Sequence, residues 1–129
     1  MPQHLSLVAL IVPDYDSAIA FFTGALGFDL LEDTDLGHGK RWVRVAPKGA
    51  QTAFLLARAV DDRQRAAIGN QGGGRVWLFL QTDDFDKDHA KMQACGIAFE
   101  ESPRDEPYGR VAVFSDPFGN RWDLIQFVR

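Results

Sequence analysis

The sequence has a single cysteine, Cys95, and no long apolar run. One thiol excludes an internal disulfide and suits a reducing compartment. No apolar stretch approaches the roughly 18 residues of a membrane-spanning helix, and no signal-peptide pattern is present. From these absences we expect a cytoplasmic protein that does not contact a membrane.

Positive charge is scarce as well. The chain has 14 Lys and Arg against 18 Asp and Glu, for a formal net charge of −4. Surfaces that bind nucleic acid or anionic lipid are usually basic, so neither partner is expected. A hydrophobic fraction of 46% over 129 residues is ordinary for a soluble globular protein. The length suits one domain, or two small halves that share a core.

Several segments recur at a spacing of 70 residues. Pro47 recurs as Pro117, and the segment 12–16 superposes on 82–86. Four regions in one register indicate two copies of one unit. We therefore treat residues 1–129 as a single domain built from two related modules.

Each module is predicted to run strand, helix and three further strands. The first covers about 3–57 and the second about 74–129, with a linker over 58–73 that contains three consecutive glycines. Aspartates that accept the free N–H groups of a first turn predict helices near 15–26 and 84–95.

The closing hairpin holds the most unusual residue. Two apolar strands flank the turn Asp116–Asn120, where Pro117 and Gly119 supply turn chemistry. Asp123 then interrupts an apolar run, where a charge is costly unless it faces water, a partner or a ligand. An aspartate on the wet side of a strand remains the alternative interpretation.

The segments Val12–Phe22, Leu26–Phe28 and Phe114–Asn120 together resemble the vicinal oxygen chelate superfamily. That group includes glyoxalase I, bleomycin-resistance proteins, extradiol dioxygenases and fosfomycin-resistance enzymes. The resemblance covers essentially the whole chain. It implies an α+β fold of two tandem βαβββ modules that form an open barrel around a cavity, and it implies a homodimer.

Catalytic members of the family hold one divalent metal through His, Gln or Glu on the first and last strands of each module. Carried over by the motifs, those positions are Leu7, Ala53, Trp77 and Asp123. Leucine, alanine and tryptophan cannot ligate a metal, and no two of the three histidines are spaced to share one. We therefore expect no metal and no other cofactor, and Asp123 is the one candidate catalytic residue.

Alternation of side chains along the strands assigns the wall of the implied cavity. On the middle strands we choose the face opposite the valine pairs. The predicted ligand-binding residues are Leu7, Trp42, Arg44, Ala53, Leu55, Trp77, Phe79, Tyr108, Arg110, Phe114 and Asp123. This set is mostly apolar and aromatic, and its arginines suit an anionic group. The alternative is a closed aromatic core with solvated arginines.

A buried carboxylate needs a partner, so we expect Arg110 or Tyr108 beside Asp123, with Arg44 as the repeat-related alternative. Two functions remain open. One is a metal-free binding protein, like the bleomycin-binding branch, that sequesters a small, partly aromatic molecule; an anionic one would suit the arginines. The other is a glyoxalase-like lyase or isomerase, or a dioxygenase-like enzyme, that uses Asp123 as a base or holds a metal in a non-standard way.

Overall fold

Two β-sheets and three short α-helices, the first with a π-helical continuation, make up the structure, a computed structural model that describes residues 2–128. The chain divides into two compact units, one ending at Ile68 and the other beginning at Gly69. Unit 1 has three strands after its first helix; unit 2 has four, because the segment predicted as one outer strand forms two short strands that pair with the same neighbour. The α+β fold of two tandem βαβββ-type modules is confirmed. No helix within residues 2–128 is long and apolar enough to cross a membrane.

Unit 1 consists of β1 (Leu7–Val12), α1 (Tyr15–Ala20) with a π-helical continuation (Phe21–Ala25), β2 (Asp29–Gly37), β3 (Lys40–Ala46), β4 (Ala53–Arg58) and α2 (Asp62–Ala67). The sheet order is β1-β4-β3-β2, with β1 parallel to β4 and the other pairs antiparallel. As predicted, an aspartate caps the first helix, because Asp14 Oδ1 accepts a 2.7 Å hydrogen bond from the Ser17 N–H.

The α1 helix covers one face of this sheet, which we call the helix face. Phe22 is fully buried, and its ring lies 5.8 Å from that of Phe54 on β4. The pairing register places Val43 and Val45 on the same face as Phe54, and both valines are fully buried. The opposite side of each sheet is called the reverse face.

Unit 2 consists of β5 (Val76–Gln81), α3 (Phe85–Ala94), β6 (Ala98–Phe99), β7 (Arg104–Glu106), β8 (Gly109–Ser115) and β9 (Arg121–Phe127). The sheet order is β5-β9-β8-β6, and β7 also pairs with β8. Asp84 caps α3 by accepting from the Lys87 N–H at 3.3 Å. The helix is tied to the sheet where the Phe85 N–H donates to Gln126 Oε1 at 2.8 Å.

The turn before β9 is organised around the Asp116 carboxylate, which is buried. Its Oδ1 accepts from the backbone N–H groups of Phe118 and Asn120, both at 3.0 Å, and its Oδ2 accepts from Asn120 Nδ2 at 2.9 Å. Gly119 has φ +107°, a conformation that other residues rarely adopt. The predicted turn therefore reverses the chain and is also held together by hydrogen bonds to the Asp116 carboxylate.

The two units keep the 70-residue spacing at their helix caps but lose it in their last strands. In unit 1, nine positions separate Val45 from its cross-strand partner Phe54; in unit 2, eight separate Phe114 from Trp122. Side chains alternate along a strand, so a difference of one residue reverses every side chain of β8 relative to β3. The valine pair of β8 consequently lies on the reverse face, whereas that of β3 lies on the helix face.

Candidate functional site

A cavity opens at one end of the unit 1 sheet, where its two central strands separate. The pairing of β3 with β4 stops at Val43 and Leu56. Beyond that point β4 follows β1 as far as Arg58, and β3 follows β2 as far back as Lys40. The resulting cleft has a volume of about 590 Å³.

The cleft has an apolar wall and a polar end. Trp42, Leu55 and Ala57, all on the reverse face, supply apolar surface. Tyr15 and Arg58 come from the helix face and line the cavity with them. Small-molecule sites typically combine a largely apolar lining with a few polar groups.

Tyr15, the first residue of α1, supports the point where the strands part. Its hydroxyl accepts a hydrogen bond from the backbone N–H of Arg41 at 3.1 Å, just beyond the last β3–β4 pair. Because an unpaired backbone group is costly in a part-buried place, this bond stabilises the split in the sheet. Two guanidinium groups lie over the same ring, Arg41 at 5.1 Å and Arg58 at 5.9 Å from its centroid.

Arg41 is fully engaged by carboxylates. Its Nη2 lies 2.7 Å from Asp33 Oδ2, its Nε donates to Asp33 Oδ1 at 3.1 Å, and its Nη1 lies 2.9 Å from Asp16 Oδ1. These bonds raise the pKa of Arg41, and the bond from Arg41 lowers the pKa of Asp33. Arg41 therefore contributes little net charge to the cleft.

The register places the residues predicted in the first module on the reverse face. Leu7 pairs with Ala53, and Arg44 pairs with Leu55. Trp42 and Leu55 line the cleft, whereas Leu7, Ala53 and Arg44 lie outside it. Arg44 Nε donates to Glu32 Oε1 at 3.1 Å. The sequence reasoning missed Tyr15, Ala57 and Arg58; only Ala57 carried a signal, since it shares the alternation of Leu55.

In unit 2, Asp123 lies on the reverse face and is only 6% exposed. Its cross-strand neighbours are Phe79 on β5 and Val113 on β8. Within the described residues its Oδ1 has no hydrogen-bond partner. Burial raises the pKa of Asp123; the charge of Arg104 opposes this, that of Glu101 adds to it, and that of Arg121 opposes it.

The expectation that Arg110 and Phe114 share a face with Asp123 is wrong. Phe114 is fully buried on the helix face and stacks on Trp122 with ring centroids 5.5 Å apart. Arg110 lies over the Phe85 ring at 5.3 Å, and its Nη1 is 3.0 Å from Asp105 Oδ1. The shorter hairpin of unit 2 causes this reversal. The sequence analysis chose the face opposite the valine pairs on both middle strands, and that choice holds only in unit 1.

The other predicted positions of the second module are dispersed. Trp77 lies where the register between β5 and β9 shifts, and Phe79 is 63% exposed. Tyr108 is exposed in the turn before β8. The arginines whose charges act on Asp123 are thus Arg104 and Arg121, and neither was predicted.

The residues do not fit the divalent metal that the catalytic relatives hold. Ala9 and Phe79 occupy equivalent positions, 70 residues apart, in the first strands of the two units. Ala9 pairs with Leu55 and Phe79 pairs with Asp123, so the counterpart of Asp123 in unit 1 is Leu55 and not Ala53. Neither leucine nor alanine can ligate a metal. In the part of the chain that the structure describes, no group of three or more His, Cys, Asp or Glu side chains could hold a metal ion.

Comparison with known proteins gives a family match over nearly the whole chain. The model of the Glyoxalase/Bleomycin resistance protein/Dioxygenase superfamily matches residues 4–124. A protein of Shewanella frigidimarina (strain NCIMB 400), described as uncharacterised, is 52% identical over 128 residues, covering 98% of this chain and 95% of its own.

Two solved structures are also similar. UcmS2 is 29% identical, with a TM-score of 0.83, and the match covers 97% of this chain and 98% of UcmS2. TnmS3 from Streptomyces sp. CB03234, described as an antibiotic binding protein, is 38% identical with a TM-score of 0.76, and the match covers 98% of each chain.

Proposed function

The chain belongs to the glyoxalase/bleomycin resistance protein/dioxygenase superfamily, and from that membership we propose that it binds a small, partly aromatic molecule in the cleft of unit 1. The role is sequestration, in which the ligand is held and released unchanged. The description of TnmS3 as an antibiotic binding protein, together with its 38% identity to this chain, supports this class of function.

The observation that carries the proposal is the splayed end of the unit 1 sheet. Its volume of about 590 Å³ lies within the range of roughly 300–1,000 Å³ that is usual for small-molecule sites. Trp42 and Leu55 form an apolar wall there, and a partly exposed indole offers a large flat surface for an aromatic ring.

The lining of the cleft favours binding over catalysis. Among residues 2–128, no carboxylate lines the cavity, and its one imidazole, His38, lies on the exposed β2–β3 turn. General acid–base chemistry needs a positioned titratable group within reach of the reacting atom. Of the other titratable groups in the lining, the Tyr15 hydroxyl is bonded to the Arg41 N–H and Lys40 is exposed beside His38, whereas the apolar wall provides only surface for association.

The test uses naphthamide, a neutral two-ring aromatic probe, and isothermal titration calorimetry. We expect the wild-type protein to bind it and Trp42→Leu to weaken the binding about tenfold, because stacking area is lost. Phe127→Leu is the matched control, an exposed aromatic in unit 2 that should leave the affinity unchanged. Absence of binding by the wild type at millimolar probe, or an equal loss in both variants, would contradict the proposal.

A further inference from the structure

We propose that Arg58 makes the polar end of this cleft a subsite for an anion, so that the ligand class is an aromatic carboxylate. This inference rests on the proposed function, because it specifies the chemistry of the same site. The argument starts from the three arginines that β3 and β4 contribute to the unit 1 sheet.

Two of those arginines are neutralised within unit 1. Arg41 is held by Asp16 and Asp33, and Arg44 by Glu32. Within residues 2–128, Arg58 forms no ion pair, although it is half-buried and lines the cavity. Among the described residues, the sheet therefore leaves the charge of Arg58 uncompensated by any carboxylate, and that charge lies in the cleft together with the charge of Lys40 at the exposed turn.

The Arg58 side chain is also held in place. Its Cζ lies 5.9 Å from the centre of the Tyr15 ring. A Cβ added to Gly39 would lie 3.4 Å from Arg58 Nη2, so the backbone of the β2–β3 turn also passes close to the guanidinium. A guanidinium with these two neighbours loses little further freedom when it binds a ligand.

The surrounding charges do not cancel that of Arg58. Lys40 and His38 lie at the exposed turn that lines the same cavity, and neither is negative. The carboxylates of Asp16 and Asp33 are already bonded to Arg41. A planar carboxylate can accept two parallel hydrogen bonds from the fork of one guanidinium, and its single charge matches that of Arg58.

The experiment compares naphthoate with naphthamide, a pair that differs essentially in charge. We expect the wild-type protein to bind naphthoate about tenfold more tightly than naphthamide. Arg58→Met keeps the apolar stem and should bring the affinity for naphthoate down to that for naphthamide, with naphthamide changed less than about twofold. Arg63→Met removes an exposed arginine of α2 that has no ion-pair partner among residues 2–128, and it should change neither affinity.

The outcomes separate the two proposals. Binding of neither probe to the wild type overturns both. Equal binding of the two probes, or a naphthoate preference that survives in a folded Arg58→Met or Arg58→Gln variant, overturns the Arg58 subsite and leaves the proposed function standing. Naphthyl phosphate binding about tenfold more tightly than naphthoate would overturn the assignment to carboxylates.

Discussion

The indole Nε1 of Trp122 donates a hydrogen bond to Oδ2 of Asp116 at 3.1 Å, and both side chains are buried. This is the fourth N–H group that the Asp116 carboxylate accepts, after those of Phe118 and Asn120. One carboxylate thus joins the hairpin turn to the first residues of β9. The turn motif that supports the family assignment has a structural purpose, independent of any ligand.

Replacing Asp116 should therefore destabilise unit 2 strongly. Asp116→Ala leaves buried N–H groups unpaired, and we expect it to lower the free energy of unfolding by about 3 kcal/mol in urea denaturation. Asp62→Ala, at a side chain that is fully exposed, is the control and should cost less than about 0.5 kcal/mol. A loss below about 1 kcal/mol for Asp116→Ala would show that the hydrogen bonds to this carboxylate contribute little to stability.

Gly69 and Gly73 form a matched pair in the segment before β5. Both have a left-handed φ, +72° and +67°, but a Cβ on Gly69 would lie 2.1 Å from the Phe118 carbonyl oxygen, whereas nothing lies within 4 Å at Gly73. Gly73→Ala should cost about 1 kcal/mol of backbone strain, and Gly69→Ala should cost about 3 kcal/mol or more. Equal losses in urea denaturation would mean that the chain relaxes away from Phe118.

Asp123 should make the stability of the protein dependent on pH. Burial raises the pKa of this carboxyl, so the folded protein keeps the proton at a pH where the unfolded chain has lost it. Stability from this group is therefore lost as the pH rises through the raised pKa. Asp123→Asn stays neutral, so its melting temperature relative to the wild type should increase between about pH 4 and about pH 8.

Differential scanning fluorimetry across that range measures this difference. Asp62→Asn, at an exposed carboxylate, provides the control and should show no comparable trend. If the melting temperature of Asp123→Asn relative to the wild type does not change with pH, burial of the Asp123 carboxylate carries no measurable penalty.

Local chemistry explains what could be predicted. The aspartates that cap α1 and α3 act on N–H groups within three residues, so neighbouring residues alone predicted a cap at Asp14 or Asp16 and at Asp83 or Asp84. The structure selects Asp14 and Asp84. Alternation of side chains along β4 was enough to predict that Leu55 and Ala53 share one face of the strand, which is the reverse face. The order of elements was determined in the same way, by patterns that each segment carries within itself.

The placement of Arg110 and Phe114 shows where such reasoning ends. Their residue types and alternation are compatible with either face of the sheet. The face is decided by the partners of β8, and those depend on a hairpin connection that is one residue shorter than its counterpart in unit 1. Pairing register depends on both strands. A change of one residue in the loop between them therefore moves each side chain to the opposite face, whatever the pattern of residues along either strand.

By itself, then, the sequence determined the two modules, their helix caps, their turn and the apolar side of β4. Only the tertiary structure decided that β3 and β4 part beyond Val43 and Leu56 and that Tyr15 supports the split. It also decided that Arg58 has no carboxylate partner in the described part of the chain. The reason is physical. Capping and alternation act within a few residues, whereas strand separation and charge pairing join side chains that are distant in sequence, such as Arg41 and Asp16.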